Sequence, residues 1–159
     1  MAEGKPVRES LSEYSELALP NDANGLGNVL GGKVMHLVDL AGAMAAIRHA
    51  RMPVVTASVD SMHFIYPVHI GRLMILKSSV NRVFRTSMEV GVRVVTENLL
   101  TGEKLHTCSA YLTFVALDES GKATAVEPVI PETEEEKRRY RDAGERREYR
   151  LALRHRLKP

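Results

Sequence analysis

The sequence predicts an α+β domain in which one long helix lies against an antiparallel sheet of about five strands, with a charged helical extension after it. Three observations predict this architecture: an apolar helical stretch over residues 31–50, four later stretches with strand character and no helix between them, and a charged final stretch. Consecutive strands without crossover helices pair in antiparallel fashion. We therefore divide the chain into a flexible N-terminus (1–8), a domain (9–131) and a helical extension (132–159).

The composition is that of one globular domain, with 44% hydrophobic and 26% charged residues. No stretch is apolar enough for a signal peptide or a membrane span, so no membrane insertion is expected. The single cysteine, Cys108, excludes an intrachain disulfide and indicates the reducing cytoplasm. The positive charge resides in 132–159, with 10 basic and 7 acidic residues, and the chain has no Trp. Nucleic acid is therefore not an expected partner.

The first elements are a predicted strand over residues 9–19, a loop and the long helix. Pro20 ends the strand, and residues 21–28 are rich in Asn, Asp and Gly, which favour turns. The helix begins at Gly31 or Gly32 and extends for about 20 residues, or roughly 30 Å. Because it is apolar on nearly every side, we expect it to be buried.

Four strand-like stretches follow at residues 54–66, 73–84, 88–96 and 105–117. The third alternates clearly, with valines on one face and Glu89 and Arg93 on the other. Residues 132–158 predict a helix that starts with a capping box formed by Thr133 and Glu136. Gly144 is a candidate break within it, and its charges predict a helix that is solvated or in contact with another subunit.

One acid, Asp39, lies two turns into the apolar helix. Burial of an unpaired carboxylate is costly, so this residue requires an explanation. Asp39 is either a catalytic acid–base group or a structural acid satisfied by a neighbouring polar group or water. It lies too far from the helix start to act as a cap.

Glycines surround the start of the helix. Residues 27–33 match G-x-x-x-x-G-K, but Val34 replaces the Ser or Thr of a P-loop, and the following strands do not alternate with helices. The glycines either form a simple turn or expose N–H groups that hold a polarised carbonyl. In the preceding loop, Asp22 and Asn24 are typical of turn formation, and Asn24 could also orient a water or a carbonyl.

A hairpin between the second and third of these strands carries two arginines and two hydroxyl groups, namely Arg82, Arg85, Thr86 and Ser87. Such a group is suited to phosphate binding, although a solvated hairpin tip has the same composition. The histidines show no metal-ligand spacing, and no G-x-S-x-G motif is present. No metal or separate cofactor is expected, and Cys108 is predicted to be a packing residue.

Several segments together resemble the hot-dog-fold acyl-CoA thioesterases, a group that includes bacterial single-domain and animal brain-type acyl-CoA hydrolases. The first is P-N-D-A-N-G-L-G-N-V-L-G-G-K-V-M-H-L-V-D at residues 20–39. The others are V-V-T-A-S-V-D-S-M-H-F (54–64), P-V-H-I-G (67–71), T-S-M-E-V (86–90), L-T-F-V-A-L-D (112–118) and P-E-T-E-E-E-K (131–137). The resemblance covers about residues 10–150. It departs at Arg72, where many relatives have an acid.

The resemblance implies hydrolysis of fatty acyl-CoA to a fatty acid and CoA, with CoA as part of the substrate. It implies a homodimer, commonly assembled into a trimer of dimers, with active sites at the shared interface. The catalytic residues fall on Asp39 and on Asn24 of a different subunit, with oxyanion-type donors at Gly31 and Gly32. Asp39 acts either as a general base or as a nucleophile. Arg82, Arg85, Thr86 and Ser87 are the predicted contacts for the CoA nucleotide.

Two other functions compatible with a hot-dog domain are weighed against hydrolysis. One is a non-catalytic domain that binds or senses acyl-CoA, because the fold alone does not determine the function. The other is a dehydratase or hydratase, which would typically use a His–acid pair that this helix does not offer. The presence of both Asp39 and Asn24 favours the thioesterase.

Overall fold

The computed structural model describes residues 3–159 and confirms the predicted α+β fold. Its helices and strands are, in chain order, β1 (Lys5–Pro6), β2 (Ser12–Leu17), α1 (Gly31–Ala50), β3 (Val54–Val59), β4 (His63–Phe64), β5 (Leu73–Phe84), β6 (Ser87–Glu97), β7 (Lys104–Ala116), β8 (Val129–Ile130) and α2 (Glu134–Leu157). The five long strands form one antiparallel sheet in the order β2-β5-β6-β7-β3, and β4 adds a short pairing to β7.

The core lies between α1 and the inner face of this sheet. Apolar residues spaced by three and four positions on the helix pack against apolar residues at every second position on the strands. The helical and the strand periodicity are therefore both visible in the sequence. The fully buried side chains here include Val34, Leu37, Val38, Met74, Leu76, Met88, Val90, Leu112 and Phe114. At Gly42 the helix approaches the sheet so closely that a Cβ would lie 3.0 Å from the Phe114 ring.

The prediction that α1 is buried on nearly every side is wrong for the single chain. Met35, Leu40 and Ile47 are 47%, 41% and 44% exposed. A single sheet covers only one side of a helix, and β3, the neighbouring strand, lies at an edge of that sheet. The apolar composition of α1 therefore leaves one uncovered apolar face.

The second helix, α2, packs on the outer face of the sheet, opposite α1. Thr133 caps it, and the predicted capping box with Glu136 is present. The sequence suggests a break at Gly144, but α2 continues through this residue without interruption. Instead, a Cβ there would lie 2.5 Å from Arg82 Nη1, so the glycine allows a side chain of the sheet to approach the helix backbone.

The N-terminal segment differs from the flexible region assigned to residues 1–8. Strand β1 pairs in parallel with β8, and Lys5 donates a hydrogen bond to the carbonyl of His49, 2.8 Å away, in the last turn of α1. Met1 and Ala2 of that predicted segment lie outside the described residues. Lys5 and Pro6 thus connect the N-terminal segment to β8 and to the C-terminal end of α1.

Candidate active site

Asp39 is paired with a residue that the sequence analysis did not select. The Thr56 hydroxyl donates a hydrogen bond of 2.6 Å to Asp39 Oδ1. Asp39 is only half-buried, which corrects the expectation of a buried acid, and Thr56 is exposed. The two groups form a polar pair at the margin between the core and the uncovered face of α1.

Pairing register explains how Thr56 reaches Asp39. Thr56 lies opposite Phe114 of β7, whose side chain points toward α1, so the threonine points to the same side of the sheet. A threonine in V-V-T-A-S-V is an ordinary strand residue, and composition alone gives no sign of a function. The signal that could have found it is the strand register relative to Asp39, which a single sequence does not reveal.

Asn24 is held in an Asx turn within the loop before α1. Its Oδ1 accepts hydrogen bonds from the backbone N–H groups of Leu26 (2.8 Å) and Asn28 (3.1 Å). The turn-forming role expected for this residue is therefore present. Because the oxygen of the amide is engaged, its NH₂ group is the end available to a ligand, and this group can donate to a carbonyl oxygen.

The start of α1 presents two backbone donors. The preceding residue, Leu30, provides no side-chain cap, and no described residue accepts a hydrogen bond from the N–H of Gly31 or Gly32. Both glycines are exposed, and the Phe64 ring lies beside Gly31, 3.8 Å from where a Cβ would be. The helix dipole adds partial positive charge at this point, so the glycines can stabilise an oxyanion.

Several contacts fix the loop that carries Asn24. Asp22 accepts a hydrogen bond from the Leu19 N–H (3.1 Å) and forms an ion pair with Lys33 (3.7 Å). On the other side, His69 Nδ1 contacts Asn28 Oδ1 at 2.9 Å. Asp22 therefore has the structural role expected of it, and the P-V-H-I-G segment supports the loop.

These groups are not all adjacent in one chain. Asp39 lies eight residues after Gly31, or about 12 Å along the helix axis. Asn24 precedes the helix start and is joined to its own loop. The structure thus brings Asp39 together with Thr56. Asn24 is held separately in the loop before α1, and the two glycines lie at the start of that helix.

The four residues predicted to bind phosphate lie around the β5–β6 hairpin. Arg82 packs on the rings of Tyr140 (4.2 Å) and Phe84 (5.3 Å), and Ser87 accepts a hydrogen bond from Arg147 of α2 at 3.4 Å. Arg82 and Ser87 therefore face α2, on the opposite side of the sheet from Asp39. At the tip, Arg85 is exposed and adopts a positive φ of 62°, and Thr86 follows it. Phosphate binding by this group stays a prediction.

Cys108 is fully buried, and burial raises the pKa of its thiol. Within residues 3–159 no three His, Cys, Asp or Glu side chains are grouped so as to hold a metal ion. The same residues contain no helix that is long and apolar enough to cross a membrane.

Sequence comparisons relate the chain to known proteins. A profile of the thioesterase superfamily matches residues 26–103. The chain is 42% identical over 129 residues to an uncharacterised acyl-CoA thioester hydrolase of Bacillus subtilis, with 81% of this chain and 75% of the relative covered. It is 40% identical over 152 residues to acyl-coenzyme A thioesterase 11 of Mus musculus, covering 95% of this chain but 25% of the mouse protein. The chain thus spans about a quarter of that relative's length.

Solved structures show the same fold. An apo-hexameric acyl-CoA thioesterase superposes with a TM-score of 0.91 at 46% identity, covering 96% of this chain and 97% of the other. An acyl-CoA hydrolase from Staphylococcus aureus, solved with butyryl-CoA, CoA and CoA disulfide, has a TM-score of 0.90 at 35% identity and coverages of 96% and 93%. Structures also exist of three variants of the S. aureus enzyme, in which an aspartate, a threonine and an asparagine are each replaced by alanine.

Proposed function

The chain belongs to the hot-dog acyl-CoA thioesterase family, and we propose that it hydrolyses fatty acyl-CoA to a free fatty acid and CoA. The observation that carries the proposal is the 2.6 Å hydrogen bond from Thr56 to Asp39 at the margin of the exposed helix face. The S. aureus variants support it further. Their three substituted positions are separated by 15 and 17 residues, the same spacings that separate Asn24, Asp39 and Thr56.

Asp39 acts as the general base in this proposal. The Thr56 hydroxyl engages Oδ1 and fixes the carboxylate, so Oδ2 can accept a proton from water. The resulting hydroxide attacks the thioester carbon and forms a tetrahedral oxyanion. The N–H groups of Gly31 and Gly32 and the Asn24 NH₂ group stabilise that oxyanion. Its collapse breaks the C–S bond, and the departing CoA sulfur takes the proton from Asp39.

The complete site is formed between two subunits. Because Asp39 and the helix start are about 12 Å apart within one chain, Asp39 and Thr56 of one subunit act with Asn24, Gly31 and Gly32 of another. The free edge of β3 and the exposed apolar face of α1 provide the surface for this dimer. The hexameric relative supports further assembly into a trimer of dimers.

The first test is thiol release from acyl-CoAs of increasing chain length, from acetyl to palmitoyl. Asp39→Asn should reduce kcat by about 10²–10⁴-fold, the usual contribution of a general base, without changing the oligomeric state. Asp142→Asn, a substitution of the same kind on α2, is the matched control and should retain activity. Tight acyl-CoA binding with no turnover by the wild type would contradict hydrolysis and support the sensing alternative.

The same assay tests the shared site. Asn24→Ala and Asp39→Asn should each be inactive, but mixed dimers would contain one intact site. After statistical exchange of subunits, about a quarter of the wild-type activity should return. No recovery in a sample shown to contain mixed dimers would place both residues in the same subunit's site.

A further inference from the structure

A buried carboxylate joins α2 to the sheet at a distance from the proposed catalytic groups. Glu89 of β6 is fully buried, and its oxygens accept hydrogen bonds from Arg146 (2.7 and 3.1 Å), Arg150 (2.9 Å) and Asn81 (3.0 Å). Burial alone would raise the pKa of Glu89, but these hydrogen bonds hold it below its usual range. Glu89 therefore remains charged, and two arginines of α2 are fixed over the outer face of the sheet.

Arg150 also reaches a second carboxylate. Its Nη1 donates to Glu89 Oε2 and to Asp60 Oδ2, each at 2.9 Å. Asp60 is further held by its backbone N–H, which donates to the Tyr111 carbonyl at 2.9 Å. The Tyr111 ring in turn lies 3.6 Å beneath the guanidinium of Arg146. These contacts form a closed ring that links α2, β6, β7 and the residue after β3.

Asp60 lies between two elements of the proposed active site. It is four residues after Thr56 and four residues before Phe64, whose ring lies beside Gly31. Between Thr56 and Ser58 the pairing of β3 with β7 shifts register, and only Ser58 and Val59 pair beyond that irregularity. A bulge of this kind redirects side chains and interrupts the ladder. The part of β3 after the irregularity is therefore held by these two pairs, by the Asp60 backbone N–H and by the Arg150–Asp60 ion pair.

We propose that the Arg150–Asp60 ion pair is a positioning contact through which the docked helix α2 sets the orientation of Thr56 and the placement of Phe64 beside the start of α1. The inference rests on the proposed thioesterase function. Neither residue touches the substrate in this scheme. Loss of the pair lets the end of β3 move, so the Thr56 hydroxyl no longer holds Asp39 in its productive position.

Steady-state kinetics with one acyl-CoA test this role. Arg150→Ala should lower kcat about tenfold with little change in KM, because small displacements of a catalytic group affect the chemical step more than binding. Asp60→Ala should have the same effect, and the double variant should be no worse than either single variant. Arg150→Lys should recover part of the activity, since one nitrogen, Nη1, contacts both carboxylates and an ammonium group can donate to both.

Arg154→Ala is the matched control, because Arg154 lies one turn later on α2 and is exposed. Asp60→Asn, which keeps a side-chain acceptor, is a milder variant if Asp60→Ala fails to fold. Variants with a lower thermal midpoint but unchanged kcat would overturn the positioning role while the proposed function stands. Absence of turnover by the wild type would instead remove the proposed function itself.

Discussion

The two faces of the sheet hold their helices by different means. On the inner face, α1 packs through buried apolar side chains and the close approach of Gly42 to Phe114. On the outer face, α2 is held by the buried charge of Glu89 and by arginines stacked on aromatic rings. The inner contact is non-directional and spread over a large area, whereas the outer contact depends on a few directional groups.

This difference gives the two helices different sensitivities. Apolar packing depends on volume and hardly on pH, whereas a carboxylate held by two arginines depends on its ionisation. The inner face is therefore suited to holding α1 and its Asp39 over a wide range of pH. The outer face forms a contact that a single charge change can release, and in our inference that contact reaches Thr56.

Truncation of the inner core should have the largest effect. Phe114 is 1% exposed, and Phe114→Ala should lower the free energy of unfolding by about 3–5 kcal/mol, through lost burial and the cavity left behind. Urea denaturation at several pH values measures this. The loss should be the same from pH 5 to pH 8, because no titrating group is removed.

Leu100→Ala is the control for this truncation, because Leu100 is 97% exposed in the turn between β6 and β7. That variant should change the free energy of unfolding by less than about 0.5 kcal/mol. A loss for Phe114→Ala that is no larger than the loss for Leu100→Ala would mean that the inner face is not the main source of stability.

Removal of the charge on the outer face should have a comparable effect at neutral pH but a different pH dependence. Glu89→Gln leaves two arginines without their buried partner and should cost about 3 kcal/mol. The folded-state pKa of Glu89 lies below its unfolded value, so its contribution is complete above about pH 4.3 and is lost as the pH falls through the folded pKa. Wild type and variant should therefore converge in acid.

Glu135→Gln is the control for Glu89→Gln, because it removes the charge of an exposed glutamate. Glu135 pairs with Arg139 at 2.8 Å, but its side chain is 60% exposed, so its loss should cost less than about 1 kcal/mol at any pH. Denaturant curves from pH 3 to pH 8 for both variants make the measurement. If the Glu89 variant shows the same small loss, the outer face is not held by this network.

The inner face could be predicted from the sequence because the helical spacing of apolar residues in α1 and their alternation in the strands are both visible there. Strand β5 was placed at its observed bounds, and α1 began at one of the two glycines named. The outer face was not predicted, because alternation places Glu89 away from α1 but does not say what covers it. The interpretation of the tail as solvated or in a subunit contact is wrong for Arg146 and Arg150, which bind the chain's own sheet.

The candidate site likewise contains residues that could be selected from the sequence and one that could not. Asp39 could be selected because an acid in an apolar helix is unusual, and the glycines because a helix start exposes donors. Thr56 could not be selected, since its importance follows from the register of β3 with β7. The division of the site between two chains is implied by the resemblance and is part of the proposed function, and the distance of about 12 Å along α1 gives it a physical reason.

The smallest predicted effects come from the same substitution, glycine to alanine, made on each of the two helices. Gly42 and Gly144 both face the sheet, and alanine in place of either should gain about 1 kcal/mol of helix propensity. At position 42 the new methyl group would lie 3.0 Å from a Phe114 ring that is fully enclosed, so overpacking should exceed the gain and Gly42→Ala should be destabilising by about 1 kcal/mol.

At position 144 the group in the way is the end of the flexible Arg82 side chain, which can swing aside at the cost of its contact with Tyr140. The contact with Tyr140 contributes about as much free energy as alanine gains in helix propensity. Gly144→Ala should therefore leave the free energy of unfolding nearly unchanged. In an Arg82→Ala background the same substitution should stabilise the protein by about 1 kcal/mol. Equal losses at both positions would mean that the outer face is packed as rigidly as the inner one.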